Sequence, residues 1–184
     1  ITDRLVALSR ALIGRIRGGL AQVNVLVSMF FAGMNGSVVA DTATVGALVL
    51  PAMKKAGYPA AFSAAVTGVS STIGGIIPPS IMMIVLANAT EISIASLFAA
   101  GIVPGILIGV VIMVINHYFA VKYNFERSDE PFSVRRAGKE LYRSSFALLI
   151  PLVLVGSVMG GVASVVEAGA ITALVALFTG VFVY

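Results

Sequence analysis

Residues 70–80 read SSTIGGIIPPS, a run of hydroxyl side chains, paired glycines and paired prolines. They lie in the middle of an apolar stretch that carries no charged residue from Ala56 to Thr90. Pro79 removes a backbone donor and disfavours helix at Pro78, while Gly74 and Gly75 accept conformations that other residues resist. The stretch therefore predicts two half-helices with a designed break between them, rather than one continuous helix. Breakers free backbone groups from the helical ladder, and hydroxyls beside them offer oxygen donors.

The surroundings fix the solvent in which that break sits. Hydrophobic residues make up 59% of the chain and charged residues 11%. Soluble domains carry roughly a quarter charged residues, so the chain belongs to the membrane class. Further uncharged stretches run over Gly18–Ala40, Ile92–Val121 and Ser144–Val166, each longer than the ~18 apolar residues that suggest a membrane segment. The net charge is +4, and the basic residues sit beside these segments, as topology determinants do, rather than in a nucleic-acid-binding patch. The chain has no cysteine and one histidine, His117, which excludes disulfides and thiolate metal sites and leaves no metal cluster. His117 reads as an interfacial residue and Met82 and Met83 as packing residues. Both ends read as cuts, since the chain starts at Ile1 without a signal peptide and stops inside an apolar run, so an internal fragment of a larger transporter-like protein is expected.

A second interruption precedes the first in the chain. Between Gly18 and Met53 the apolar sequence is divided by FAGMNGSVVADT, leaving halves of about 15 and about 12 residues, which reach roughly 22 and 18 Å against a ~30 Å hydrocarbon core. Lys54 and Lys55 after it match the arginines before it, so entrance and exit fall on one side. A re-entrant helical hairpin over residues 19–53 satisfies both facts, with its tip buried in protein or lining a wet cavity. Residues 1–18, with Arg4, Arg10, Arg15 and Arg17 among aliphatic residues, read as an interfacial amphipathic arm, or else as the end of a preceding span. The broken span covers 56–87, the loop NATEIS covers 88–93, and a return span with Pro104 covers 94–121. Together, residues 19–121 form one half of a transport domain. Residues 122–143 are expected as a cytoplasmic loop, and all twelve Lys and Arg then fall on one side. Residues 144–184 supply further membrane helices, the start of a second half, with Glu167 opening the last apolar segment as a polar contact or a functional carboxylate. No internal repeat is visible.

Discontinuous helices expose carbonyls at one half's C-terminus and amides at the other's N-terminus. Carbonyls with hydroxyls suit sodium, and N-terminal ends suit a carboxylate. The candidate ion- and substrate-binding residues are Asn35, Gly36, Ser37 and Asp41 in the first interruption. In the second they are Ser70, Ser71, Thr72, Gly74, Gly75 and Ser80. Ser37, Ser70, Ser71 and Thr72 are the candidate Na+ ligands. Asp41 reads equally as a helix cap facing an aqueous gap and as an ion or substrate ligand. Close helix packing through small residues is the competing explanation for either interruption alone. No nucleotide-binding loop, serine–histidine pair or paired-aspartate arrangement at membrane depth appears, so an enzyme is not expected and no cofactor beyond Na+ as a coupling ion.

FAGMNGSVVADTATVG, followed by LPAMKKAGYPAAFSAAVTGVSSTIGGIIPPS, resembles the large permease subunit of tripartite ATP-independent periplasmic (TRAP) transporters. GGLAQVNVLVSMFFAG and LFAAGIVPGILIG fit as well, so the resemblance covers most of residues 10–120. It departs where Gly75 stands in place of a common proline, and where Val165 replaces the proline of G-G-x-x-T-P-T-E. The resemblance implies an all-α integral membrane fold of the elevator type found in the ion-transporter superfamily, with a re-entrant hairpin and a discontinuous helix. It implies sodium-coupled uptake of organic acids such as C4-dicarboxylates across the bacterial inner membrane. A soluble periplasmic binding protein would deliver the substrate and a small membrane subunit, sometimes fused, would be the partner. Sodium roles around Ser37 and Ser70–Gly74 come with it. The alternatives are a sodium-coupled anion symporter of the same superfamily without a binding protein, and a non-transporting membrane scaffold.

Overall fold

The computed structural model describes residues 2–13, 16–125 and 133–182. These residues form α1 (Thr2–Ile13), α2 (Gly19–Asn35), α3 (Val38–Lys55), α4 (Ala60–Ser71), a 3-10 turn (Thr72–Gly75), α5 (Ile81–Thr90), α6 (Ile94–Lys122), α7 (Val134–Met159) and α8 (Val165–Phe182). No strand occurs among the described residues, and the fold is all-α. Helices α6 and α7 (from Ala137) are each long and apolar enough to cross a membrane. The exposed outer face of α6, with Val103, Leu107 and Val114, suits hydrocarbon.

Helix α2 is the hub. It touches α1, α3, α4, α6, α7 and the 3-10 turn. Apolar residues all round it, including Val23, Val25, Val27 and Ala32, are buried. A helix hydrophobic on every side is one that other helices enclose. Against it pack Leu5 of α1, Val45 and Val49 of α3, Val66 of α4 and Ile112 of α6. A separate cluster joins Phe98, Val158 and Ala168, tying α6 to α7 and α8.

Helices α2 and α3 form a hairpin whose link is Gly36 and Ser37 alone. Most of the tip sequence FAGMNGSVVADT is therefore helical, and the arms have 17 and 18 residues. They are longer than the apolar halves suggest, about 26 and 27 Å, because α3 runs through Pro51 into Lys54 and Lys55. The link is built from local hydrogen bonds. Gly36 adopts φ 58 and its amide donates to Ala32, closing α2 in the left-handed region that favours glycine. The Asn35 Oδ1 accepts from the Ser37 amide at 3.1 Å, and Ser37 caps α3 by accepting from the Ala40 amide.

The SSTIGGIIPPS stretch is broken as its residues dictate. α4 ends at Ser71, the chain tightens into the 3-10 turn, and Ser80 restarts helix by accepting from the Met83 amide. With 12 and 10 residues, α4 and α5 are each about 15–18 Å long, so neither alone matches a bilayer core. Three glycines of α6, at a spacing of four, receive this region closely. Ile76 and Met83 abut Gly101, Ile77 abuts Gly105, and Met29 of α2 abuts Gly109.

At one end of the bundle Tyr58, Phe62, Phe119, Tyr123 and Phe125 form a ring cluster, with Tyr58 and Phe125 centroids 4.7 Å apart. This cluster brings the α3–α4 connection to the C-terminal end of α6, so Lys54, Lys55 and Lys122 share that end. Gly18 lies against Ala120 there as well.

The polar stretch 122–143, expected as loop, is helical from Val134. Its residues VRRAGKELYR contain good helix formers, an Arg143–Glu140 pair at 3.3 Å, and no proline. They form the first turns of α7, and Ser144 donates from there to the Arg4 carbonyl at 3.2 Å, docking α1 on α7. In α1, Leu5, Leu8 and Ser9 are buried while Arg10 and Leu12 are exposed.

Candidate functional site: two helix breaks in contact

The two interruptions, separated by more than thirty residues in the chain, meet backbone to backbone. The Ile81 amide donates to the Gly36 carbonyl at 3.2 Å. The Pro79 carbonyl fills the space a Cβ on Gly36 would need, so glycine is required there twice, by φ and by contact. A Cβ on Gly74 would stand 3.6 Å from the Ser37 carbonyl carbon, and one on Gly75 3.3 Å from Val38 Cγ2. The N-terminal ends of α3 and α5 therefore converge with the C-terminal ends of α2 and the 3-10 turn. Two positive and two negative helix termini share one small volume.

The side chains divide between that seam and the buried interior among α2, α3 and α4. Asn35 and Ser37 are half-buried, and their side-chain oxygens accept from backbone amides of the turn and of α3. Ser80 is fully buried and donates to the Gly75 carbonyl at 2.8 Å, so it braces the break. Thr72 is exposed and donates to the Val69 carbonyl of its own helix at 2.7 Å, which takes its proton away from the seam. Ser70 is fully buried and faces α2. Of the four hydroxyls considered as Na+ ligands, Ser71 is the one both buried and without a hydrogen-bond partner.

Asp41 is the decisive residue. It lies in the first turn of α3, has no solvent exposure, and neither carboxylate oxygen has a partner. It makes no cap, because Ser37 already does. It is the charged side chain among the buried described residues. An unpaired buried carboxylate costs several kcal/mol unless it is protonated or a positive charge compensates it. The donor set fits a small cation: one carboxylate with neutral hydroxyl oxygens balances a single positive charge.

Sequence reasoning missed a buried polar face between α2 and α4. Asn24 Nδ2 donates to Thr67 Oγ1 at 2.7 Å, and Asn24 Oδ1 accepts from Ser70 at 3.2 Å. Ser28 and Ser70 hydroxyl oxygens lie 3.1 Å apart. The signal was present as helical spacing: Asn24 and Ser28 on α2, and Ser63, Thr67 and Ser70–Ser71 on α4, repeat at three to four residues inside apolar sequence.

Glu167 lies outside the site. Its Oε2 accepts from the Ser164 amide at 2.8 Å and the Ser164 hydroxyl at 2.7 Å, while its own amide donates to Ser164 Oγ. This is a capping box at the start of α8, readable as S-x-x-E in the sequence.

Comparison with known proteins agrees with the geometry. Residues 1–184 match the family described as tripartite ATP-independent periplasmic transporter, DctM component. The chain is 37% identical over 184 residues to the C4-dicarboxylate TRAP transporter large permease protein DctM of Pseudomonas aeruginosa, covering all of this chain and 43% of that protein. It is 36% identical over 185 residues to the sialic acid TRAP transporter permease protein SiaT of Haemophilus influenzae, covering all of this chain and 30% of the relative. It is also 35% identical over 184 residues to the 2,3-diketo-L-gulonate TRAP transporter large permease protein YiaN of Escherichia coli, covering all of this chain and 43% of it. The chain thus spans less than half the length of these relatives, which are transporter permeases and not enzymes. A helical hairpin and a broken helix joined at their interruptions, with sequence agreement along the whole chain, identify this protein as a member of the DctM-component family of TRAP transporters.

Proposed function

We propose that this chain supplies one half of the transport domain of a sodium-coupled, multi-pass inner-membrane importer of small organic acids. A periplasmic binding protein delivers the acid, and a small membrane subunit completes the complex. Relatives named for C4-dicarboxylates, sialic acid and 2,3-diketo-L-gulonate support the substrate class. The observation that supports the coupling is Asp41, buried with both oxygens unpartnered in the first turn of α3, the helix that the hairpin link starts.

Na+ is a hard cation and takes oxygen ligands. In the proposed cycle it compensates the Asp41 charge and engages the Ser71 hydroxyl. The carbonyl-rich ends of α2 and the 3-10 turn lower its energy further. The converging N-termini of α3 and α5 attract the substrate carboxylate from the other side of the seam. Cation first and anion second would couple the two, because an ion at the break steadies the amides that meet the acid. Hairpin and broken helix then move together past a fixed scaffold, an elevator motion. Their mutual backbone contact favours that motion, since parting them leaves the Gly36 carbonyl and the Ile81 amide unpaired at membrane depth.

The test is uptake by the full-length transporter, reconstituted with its small subunit and binding protein, under an imposed sodium gradient. Uptake should require sodium, Ser71→Ala should raise the half-saturating sodium concentration, and Asp41→Asn should abolish sodium dependence. Undiminished sodium dependence in folded Asp41→Asn overturns the assignment.

A further inference from the structure

Two further buried side chains carry unpaired polar atoms, and they lie on facing helices. Gln22 of α2 is 2% exposed and Asn116 of α6 is 4% exposed. Gln22 Nε2 donates to the Met113 carbonyl of α6 at 2.8 Å. Only the nitrogen of an amide side chain can serve a carbonyl, so this bond fixes the direction of the Gln22 amide. Its Oε1 is then an acceptor without a donor, and Asn116 Nδ2 is a donor without an acceptor.

Contacts on either side set the register of the two helices. Gly18 abuts Ala120 with the Asn116 carbonyl beside it, and Met29 abuts Gly109. The helices therefore run antiparallel. Gln22, one turn beyond Gly18, meets the level one turn before Ala120, which is that of Asn116. Ile112, Asn116 and Ala120 are buried at a spacing of four and share one face of α6, which the Ala120 contact turns to α2. An acceptor and a donor thus occupy one buried level, each stripped of hydration with nothing in return. A group that joins them must donate to Oε1 and accept from Nδ2. A cation is opposed by the Asn116 donor and an anion by the Gln22 acceptor, and no buried residue of either helix is charged. Water meets every requirement. We infer that one buried water molecule bridges Gln22 Oε1 and Asn116 Nδ2, completing a polar clasp between the hairpin arm α2 and the return helix α6. With the flanking contacts, the clasp fastens α6 along α2 from Gly18 to Met29. It is separate from the joined breaks, because Gln22 lies in the first turn of α2 and Gly36 about 20 Å away at its other end. It depends on neither sodium nor substrate.

The full-length transporter with its small subunit, solved at a resolution that shows ordered solvent, should carry one water within about 3 Å of both atoms. Unfolding midpoints of the same complex supply a second readout. Asn116→Leu fills the level without a hydrogen bond and should lower the midpoint by about 2 °C. Asn116→Ser draws the polar group back but leaves room for a water to bridge, and should recover more than half of that loss. Gln22→Leu/Asn116→Leu should lie no lower than Gln22→Leu alone, because the first substitution already releases the water. A map with no water at this level overturns the inference. So does an Asn116→Ser midpoint as low as that of Asn116→Leu, which marks a direct contact between the amides, and so do additive losses in the double variant. If Gln22→Leu does not fold, the map and the two Asn116 variants decide alone.

Discussion

Gly36→Ala is the sharpest probe of whether the two breaks are joined as described. Two costs apply at this residue. Its φ of 58 lies in the left-handed region, where a Cβ costs roughly 1–2 kcal/mol. The new methyl would also be driven into the Pro79 carbonyl, which belongs to backbone and cannot swing aside, and overpacking of this kind costs about 1–3 kcal/mol. Moving Pro79 away stretches the hydrogen bond from the Ile81 amide to Gly36, worth about 1 kcal/mol more. Gly57 separates these terms, because it has φ 79 and no atom within 4 Å of its would-be Cβ. Gly57→Ala therefore reports backbone strain alone, and Gly36→Ala reports strain plus the seam. The assay is thermal unfolding of the full-length complex in detergent, with and without saturating sodium. Gly36→Ala should lower the midpoint two to three times as far as Gly57→Ala, following the ratio of these costs. It should also lose most of the sodium-dependent rise, which Gly57→Ala should keep. Equal effects of the two substitutions would refute the contact between the hairpin link and Pro79.

Glu167→Ala should destabilise α8 by about 1 kcal/mol through loss of the capping box, measured as a lower unfolding midpoint, and should leave the sodium midpoint unchanged. Single cysteines in place of Lys54, Asn88 and Ser133 should react with impermeant thiol reagent from the cytoplasm, the periplasm and the cytoplasm respectively; periplasmic labelling at position 54 would mean that the hairpin spans fully. A disulfide between Val38→Cys and Gly75→Cys, whose side-chain positions adjoin, should leave the uptake rate of the oxidised protein equal to that of its reduced form. Uptake lost on oxidation and regained on reduction would show that the breaks move apart during transport.

The breaks were legible because proline and glycine act locally. Nothing distant alters the missing amide of Pro79 or the freedom of Gly36. The extent of the hairpin arms was less so. Polar residues such as Asn35 and Asp41 in the tip suggested loop, yet helix continued on both sides because protein, not lipid, encloses them. Residues 134–143 misled in the same way, since charge marks contact with water or headgroups and not the absence of helix. Among site residues, Ser37, Thr72 and Ser71 look alike in sequence. Their different fates depend on local hydrogen bonds: the Ser37 oxygen accepts from the Ala40 amide in its own helix cap, the Thr72 hydroxyl donates to the Val69 carbonyl, and Ser71 has neither partner. That difference is three-dimensional and no spacing rule contains it. Glu167 was expected as a polar contact or a functional carboxylate, and its capping box was overlooked although the S-x-x-E spacing carries the signal.

A polar stripe runs along the facing sides of α2 and α4, in a chain otherwise rich in apolar contacts. A transmembrane interface gains only about 0.6 kcal/mol on average from an interhelical hydrogen bond, and small apolar residues pack as closely. Stability is therefore a weak reason for Asn24, Ser28, Thr67 and Ser70 to form one connected chain. Position is a better one. The Asn24 amide nitrogen donates to Thr67 and its oxygen accepts from Ser70, so the stripe ties the hairpin arm α2 to the first half of the broken helix. These hydrogen bonds hold the two interrupted elements together below their backbone contact, and both Asp41 oxygens stay outside them. Under the sodium-coupled reading proposed above, the carboxylate is then available to an ion that arrives and leaves while the stripe stays intact. Asp41→Asn should accordingly remove the sodium-dependent rise in the unfolding midpoint and leave the sodium-free midpoint close to wild type; a sodium-dependent rise that survives the substitution would refute this role.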